Sequence, residues 1–202
     1  MAASTNVKPN RRGMKSREQV LDAAERVMAE DGFEAATLAR VVEASGIPMS
    51  SVYHYFGSKD GILLAVMERG AERFFADLPD LDERLGSPAE HLAGVLAATV
   101  EALERHPNFL RLLIGFAAQP PRTGAAEVHD VVGRVRGMAL TRLRKQIGIA
   151  RSENPRTRSV DQLARFALAA IDGAFVATQT DEGVTIGRLL APLVPLLVAS
   201  GS

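Results

Sequence analysis

The chain has 202 residues, nearly half of them apolar, and a formal charge of zero from 24 basic and 24 acidic side chains. That length allows one large domain or a small domain joined to a larger one, and the charge balance argues against a wholesale polyanion binder. Cysteine is absent and no apolar run reaches membrane-spanning length, which excludes disulfides and thiolate metal centres and points to a cytoplasmic protein with no membrane partner.

Residues 1–15 read as a basic flexible arm. The stretch up to Arg17 carries Lys8, Arg11, Arg12, Lys15 and Arg17 and no acid. Taken alone it is a solvated terminus; beside a nucleic-acid-binding segment it is an arm that lies along phosphates. No apolar block follows the basic residues, so it does not read as a secretory signal. Ser16 and Gln19 have capping-box spacing and open a helix carrying Val20, Ala24, Val27 and Met28, which Gly32 ends. A short helix from Thr37 to Ala44 turns Leu38, Val41 and Val42 inward, and Gly46 breaks it. A third, from Pro48 to Tyr55, is barely two turns long. Ser58 then caps a fourth, through Ile62, Leu63, Val66 and Met67 to Asp77.

The third helix holds both tyrosines of the chain, Tyr53 and Tyr55, with Phe56 beside them. A helix so short is unstable alone and must be held by its neighbours. At about 100° per residue, Val52, Tyr55 and Phe56 form an anchoring side, completed by Ile47 and Val41. Met49, Ser50, Tyr53 and His54 fall on the other side, toward solvent. Two short helices joined at a glycine, the second with a polar outer face, make a helix-turn-helix whose second member fits a major groove. Lys59, in the first turn of the next helix, adds a cation to N–H groups that already attract phosphate.

The segment REQVLDAAERVMAEDGFEAATLARVVEASGIPMSSVYHYFGSKDGILLAVME, Arg17 to Glu68, resembles the DNA-binding domain of the tetracycline-repressor (TetR) family. The matching features are an Ala-rich first helix, Gly32-Phe33, Thr37, the turn from Ala44 to Ile47, and Tyr-x-x-Phe followed by Ser-Lys from Tyr53 to Lys59. The resemblance implies an all-α protein of about nine helices. A three-helix DNA-binding domain would cover residues 16–60, and a larger effector-binding and dimerisation domain 61–202. It implies DNA contacts at Thr37, Ser50, Tyr53, His54 and Lys59. Met49 joins them at the start of the reading helix, but it departs from the residues usual there, so operator preference does not carry over. Arg40 and Val42 also depart from the pattern, standing where an acid and a small alanine are common.

After the linker LPDLDERLGSP, Ser87-Pro88-Ala89-Glu90 is a second capping box, opening a helix to Arg105. Further helices run from Pro107 through Phe116, from Ala125 to Ile147, from Val160 to Thr180 and from Val184 to Ala199, the last bent by Pro192 and Pro195. QPPRTG separates the first two of these. The stretch from Phe166 to Ala177 is apolar nearly all round and rich in small residues. With the last helix it reads either as a buried hairpin or as half of a four-helix dimer interface; we favour the interface.

Most large apolar side chains of this half are Phe74, Phe75, Phe109, Leu112, Leu113, Phe116, Met138, Phe166 and Phe175. Each alone suits a core. Together some of them are expected to line the regulatory cavity that the family carries. Asp172, inside an apolar helix, needs a partner: an effector, an arginine such as Arg111 or Arg136, or a neighbouring helix end. The basic run Arg134, Arg136, Arg142, Arg144 and Lys145 reads as a solvated helix face.

The four histidines have no metal-ligand spacing, and no phosphate loop, nucleophile elbow or dinucleotide fingerprint occurs, so no enzyme activity, cofactor or metal is expected. The expected function is that of a dimeric transcriptional repressor, released from a palindromic operator on double-stranded DNA by a small, largely apolar effector. The competing reading is an all-α small-molecule-binding protein or enzyme on the same scaffold that binds no operator.

Overall fold

The structure is a computed structural model that describes residues 11–119 and 126–199. Within them the chain is helical throughout: α1 Arg11–Asp31, α2 Leu38–Ser45, α3 Met49–Phe56, α4 Lys59–Ala76, α5 Pro88–Arg105, α6 Pro107–Ala117, α7 Ala126–Arg151, α8 Arg158–Thr180, α9 Ile186–Leu190 and α10 Leu193–Ala199. The single last helix expected from the sequence is two segments here. Proline has no N–H to continue the helical ladder, and the break falls at Ala191-Pro192.

Two other boundaries move. Helix α1 begins at Arg11 rather than Ser16, so Arg11, Arg12 and Lys15 are helical and the capping box at Ser16 is not used. Arg, Met and Lys are good helix formers, and the Arg17 guanidinium lies 5.1 Å above the Phe56 ring, fastening this extension to α3. Lys8 and the PPRTG break lie outside the described residues. Helix α7 continues to Arg151. It ends where the Glu153 N–H donates to the Gly148 carbonyl (2.9 Å) and the Ser152 N–H to the Ile149 carbonyl (3.3 Å), a Schellman cap with Ser152 at φ 56° in the left-handed position.

Helices α1, α2 and α3 pack with the first half of α4 around Val20, Leu21, Ala24, Val41, Val52, Ile62 and Leu63, all essentially sealed from solvent. Gly46, at φ 68°, supplies the left-handed turn between α2 and α3 that a side chain would resist. The second half of α4 meets α6 and α7, and α7 is the hub, touching α4, α5, α6, α8 and α10. Phe109 of α6 is fully buried against Gly70 of α4, whose missing β-carbon would stand only 2.3 Å from the ring.

The buried side chains Arg69, His91 and Gln146 all have polar partners, although Arg69 Nε itself has none among the described residues. Arg69 of α4 donates to Glu18 (3.0 Å), Asp22 (2.7 Å) and Glu25 (2.9 Å) of α1 and joins the two helices by charge as well as packing. His91 accepts the Leu85 N–H at Nδ1 (3.3 Å), so Nε2 carries the proton toward Gln146 Oε1 (3.0 Å). The Gln146 amide N–H then donates to the Leu81 carbonyl (3.0 Å). This chain ties the α4–α5 linker to α7.

Candidate nucleic-acid interface and interior cavities

The α2–α3 motif is built from its caps. Thr37 caps α2 by accepting the Arg40 N–H (3.3 Å), and the Gly46 N–H closes that helix on the Val42 carbonyl (2.9 Å). Pro48 starts α3, and the Val52 N–H returns to its carbonyl (3.1 Å). Val52 is 1% exposed and plugs α3 into the core, with Tyr55 and Phe56 half-buried on either side of it. Opposite, Ser50 and His54 are exposed, Tyr53 is 51% exposed, and Met49 is half-buried at the start of the helix. The two-sided character read from the spacing is present, except that Tyr55 and Phe56 keep a wet edge. Thr37 is exposed at the start of α2.

Lys59 is placed differently from expectation. Its ammonium sits 4.3 Å over the Phe33 ring and donates to the Glu34 carbonyl (3.1 Å), leaving the side chain half-buried. A cation with three donors takes a carbonyl and an aromatic face when these lie within reach. Phe33 in turn meets Phe116 of α6 edge to face, with centroids 5.6 Å apart. Ser58 caps α4 by accepting the Gly61 N–H (3.0 Å). Arg40 is exposed and ion-paired with Asp31 at the end of α1.

The residues expected to bind an effector fall into three groups. Phe74, Asp172 and Phe175 line one interior cavity of about 40 Å³, where Asp172 accepts from Arg136 at 2.8 Å. Phe109 is core, while Leu112 and Phe116 line a cleft of about 300 Å³ between the end of α1 and α6. Met138 and Phe166 do not join them: they are 48% and 51% exposed, because the phase of α7 and α8 turns them outward.

Two further cavities, of about 70 and 30 Å³, adjoin the first between α4, α5, α7 and α8, and Ile171 lines all three. Their walls include residues that the sequence did not single out for a site, notably Thr99, Gln146, Leu168 and Ile171. Arg142, read as part of a solvated face, borders the largest of them. Its neighbours in that run are not merely solvated either. Arg134 pairs with Glu68 (3.3 Å), Arg144 with Asp161, and Lys145 with Asp80 (2.6 Å) and Asp82 (2.8 Å). Among the described residues, no cluster of three His, Cys, Asp or Glu could hold a metal ion, and no helix is long and apolar enough to cross a membrane.

Comparison with known proteins agrees with this geometry. Residues 20–66 match the family described as bacterial regulatory proteins, tetR family. The HTH-type transcriptional regulator BetI of Brucella canis is 24% identical over 160 residues, 79% of this chain and 78% of BetI. A TetR-family transcriptional regulator from Agrobacterium tumefaciens superposes with a TM-score of 0.73 at 17% identity, over 93% of this chain and all of the other. The Bacillus subtilis regulator FadR, solved with stearoyl-CoA, superposes with a TM-score of 0.69 at 21% identity, over 92% of this chain and 99% of FadR. The helix-turn-helix built on Val52, the all-helical body behind it and these likenesses lead to one conclusion: residues 20–66 form a DNA-binding domain of the tetR family type, and the chain as a whole resembles TetR-family transcriptional regulators.

Proposed function

We propose that the protein is a homodimeric repressor acting in the cytoplasm, which binds a palindromic operator through α3 and is released by a small, largely apolar effector. Residues 16–60, joined by the helical start of α1, read the DNA; residues 61–202 hold the effector and the partner subunit. The observation that carries this reading is the polar edge of α3, where Ser50, Tyr53 and His54 face solvent while Val52 is sealed behind them. Thr37 and Met49 flank that edge. Lys59 reaches a phosphate by leaving the Glu34 carbonyl.

Dimerisation is supported by one stripe of α8. Phe166, Ala169, Gly173 and Val176 recur at helical spacing and all are exposed, with nothing within 4 Å of a β-carbon added at Gly173. Small residues between two large apolar ones let a second helix approach closely. Leu189 of α9 and Leu196 of α10 are exposed as well. Two readers must sit one DNA turn apart, on the order of 34 Å, so a shift of a few ångströms misaligns one of them. An effector that binds the misaligned form more tightly releases the operator. The apolar cavities around Ile171 support an apolar effector, as does the stearoyl-CoA held by FadR.

DNase footprinting of the full-length protein on the DNA flanking its own gene tests the proposal. A protected palindrome at low salt, with half-sites about one turn apart, is expected. Absence of any protected site favours the small-molecule-binding reading without an operator.

A further inference from the structure

The largest of the cavities around Ile171 carries information about the head group of its ligand. Its wall is apolar except for Thr99, Arg142 and Gln146. Gln146 is committed on both sides, accepting from His91 and donating to the Leu81 carbonyl. The Thr99 hydroxyl donates to the Val95 carbonyl at 2.8 Å. Arg142 is different. Its guanidinium lies 5.3 Å over the Phe75 ring and makes one long hydrogen bond, to the Leu78 carbonyl at 3.3 Å. Among the described residues no carboxylate is ion-paired with it. Asp80, whose carboxylate senses its charge from farther off, is held by Lys145 at 2.6 Å.

A guanidinium has five donors in a planar fork that matches a carboxylate. Here most of that fork is uncommitted, on a residue that borders an apolar hollow. It is half-buried, so a bound anion keeps part of its hydration and the desolvation cost stays moderate. A neutral hydrocarbon would fill the hollow and leave the fork unused; a cation would be repelled.

We propose that the effector is a carboxylic acid on an apolar body, with its carboxylate on Arg142 and its body in the cavity beside Ile171. The inference rests on the reading of that cavity as the effector site, and names the effector's class. Arg142 is then the residue that sets specificity for the head group, while the apolar walls set length and bulk.

Decanoate and 1-decanol, which share a tail and differ in the head, are suitable probes. Each is titrated calorimetrically, below its aggregation concentration, into the full-length wild type, Arg142→Gln and Arg142→Lys. A charge-assisted pair at a partly wet edge predicts that the wild type holds decanoate at least about tenfold more tightly than decanol. That preference should fall to within about twofold in Arg142→Gln and recover in part in Arg142→Lys. Equal binding of acid and alcohol by the wild type, or a preference that survives Arg142→Gln, overturns the head-group assignment and leaves the cavity reading standing. Failure of both probes to bind overturns both.

Discussion

Val52 and Tyr53 are neighbours in sequence with opposite fates, and substituting each separates packing from recognition. Val52 is 1% exposed beneath α3. Val52→Ala removes two methyl groups from a sealed site. At about 0.8 kcal/mol per buried carbon plus a cavity term, the loss is roughly 1.5–2.5 kcal/mol. For a chain of this size that corresponds to a melting temperature lower by about 3–10 °C. The Tyr53 ring is half in water and its hydroxyl has no hydrogen-bond partner among the described residues, so Tyr53→Ala should change stability by no more than about 0.5 kcal/mol. Its effect should appear only with DNA. Loss of one polar contact costs about 1–3 kcal/mol, so affinity for the operator fragment defined by footprinting should fall about 5- to 150-fold. Thermal melts followed by circular dichroism and fluorescence anisotropy on that fragment give the two numbers independently. A Tyr53→Ala protein that melts several degrees lower, or that binds operator like wild type, would mean that the exposed edge of α3 is not the reader.

Three further substitutions or conditions test the frame behind it. Arg69→Met should cost about 2–3 kcal/mol in chemical denaturation: it strands Glu18, Asp22 and Glu25, but the first two are wet enough to rehydrate. Gly70→Ala should destabilise by about 1–3 kcal/mol in the same assay, since its β-carbon would meet Cδ2 and Cγ of the buried Phe109 ring. Acid should unfold the protein through its paired carboxylates. Asp77 is held below the usual range by its hydrogen bond with His106, Asp80 by Lys145, Asp161 by Arg165 and Arg144, and Glu90 by the Ser87 N–H. These groups bind protons more weakly folded than unfolded. Their contribution is therefore present above about pH 4 and is lost as pH falls through the lower folded values, which a series of melts from pH 6 to about pH 3 will show as a decline confined to the acid end.

Much of the architecture was legible because the residues that punctuate the helices act locally. Gly46, Ser58, Ser87 with Glu90, and Pro107 each act within a turn of their own position, and the helices begin and end near them. The two faces of α3 were legible for the same reason, since Val52 and Tyr53 differ by one helical step. What escaped were matters of distant partnership. Lys59 is engaged by Glu34 and Phe33, more than twenty residues away in sequence, and nothing in the Ser-Lys motif announces it. Phe166 and Met138 are as apolar as Phe74 or Phe175, so composition cannot tell a wall of a cavity from an outer surface; only the helix phase relative to α4 and α5 decides. The run from Arg134 to Lys145 read as uniformly solvated because its carboxylate partners come from α4, the α4–α5 linker and α8. Once those pairs are drawn, Arg142 stands apart.

Ile171 has one more consequence. It lines three hollows at once, and it belongs to α8, whose other face leaves Phe166 and Val176 exposed. Trimming that single side chain by a carbon or two would enlarge all three hollows at once. If these hollows are the effector site, one small substitution at this position would change the length of molecule they accept, while the exposed stripe on the opposite side of the same helix stays as it was.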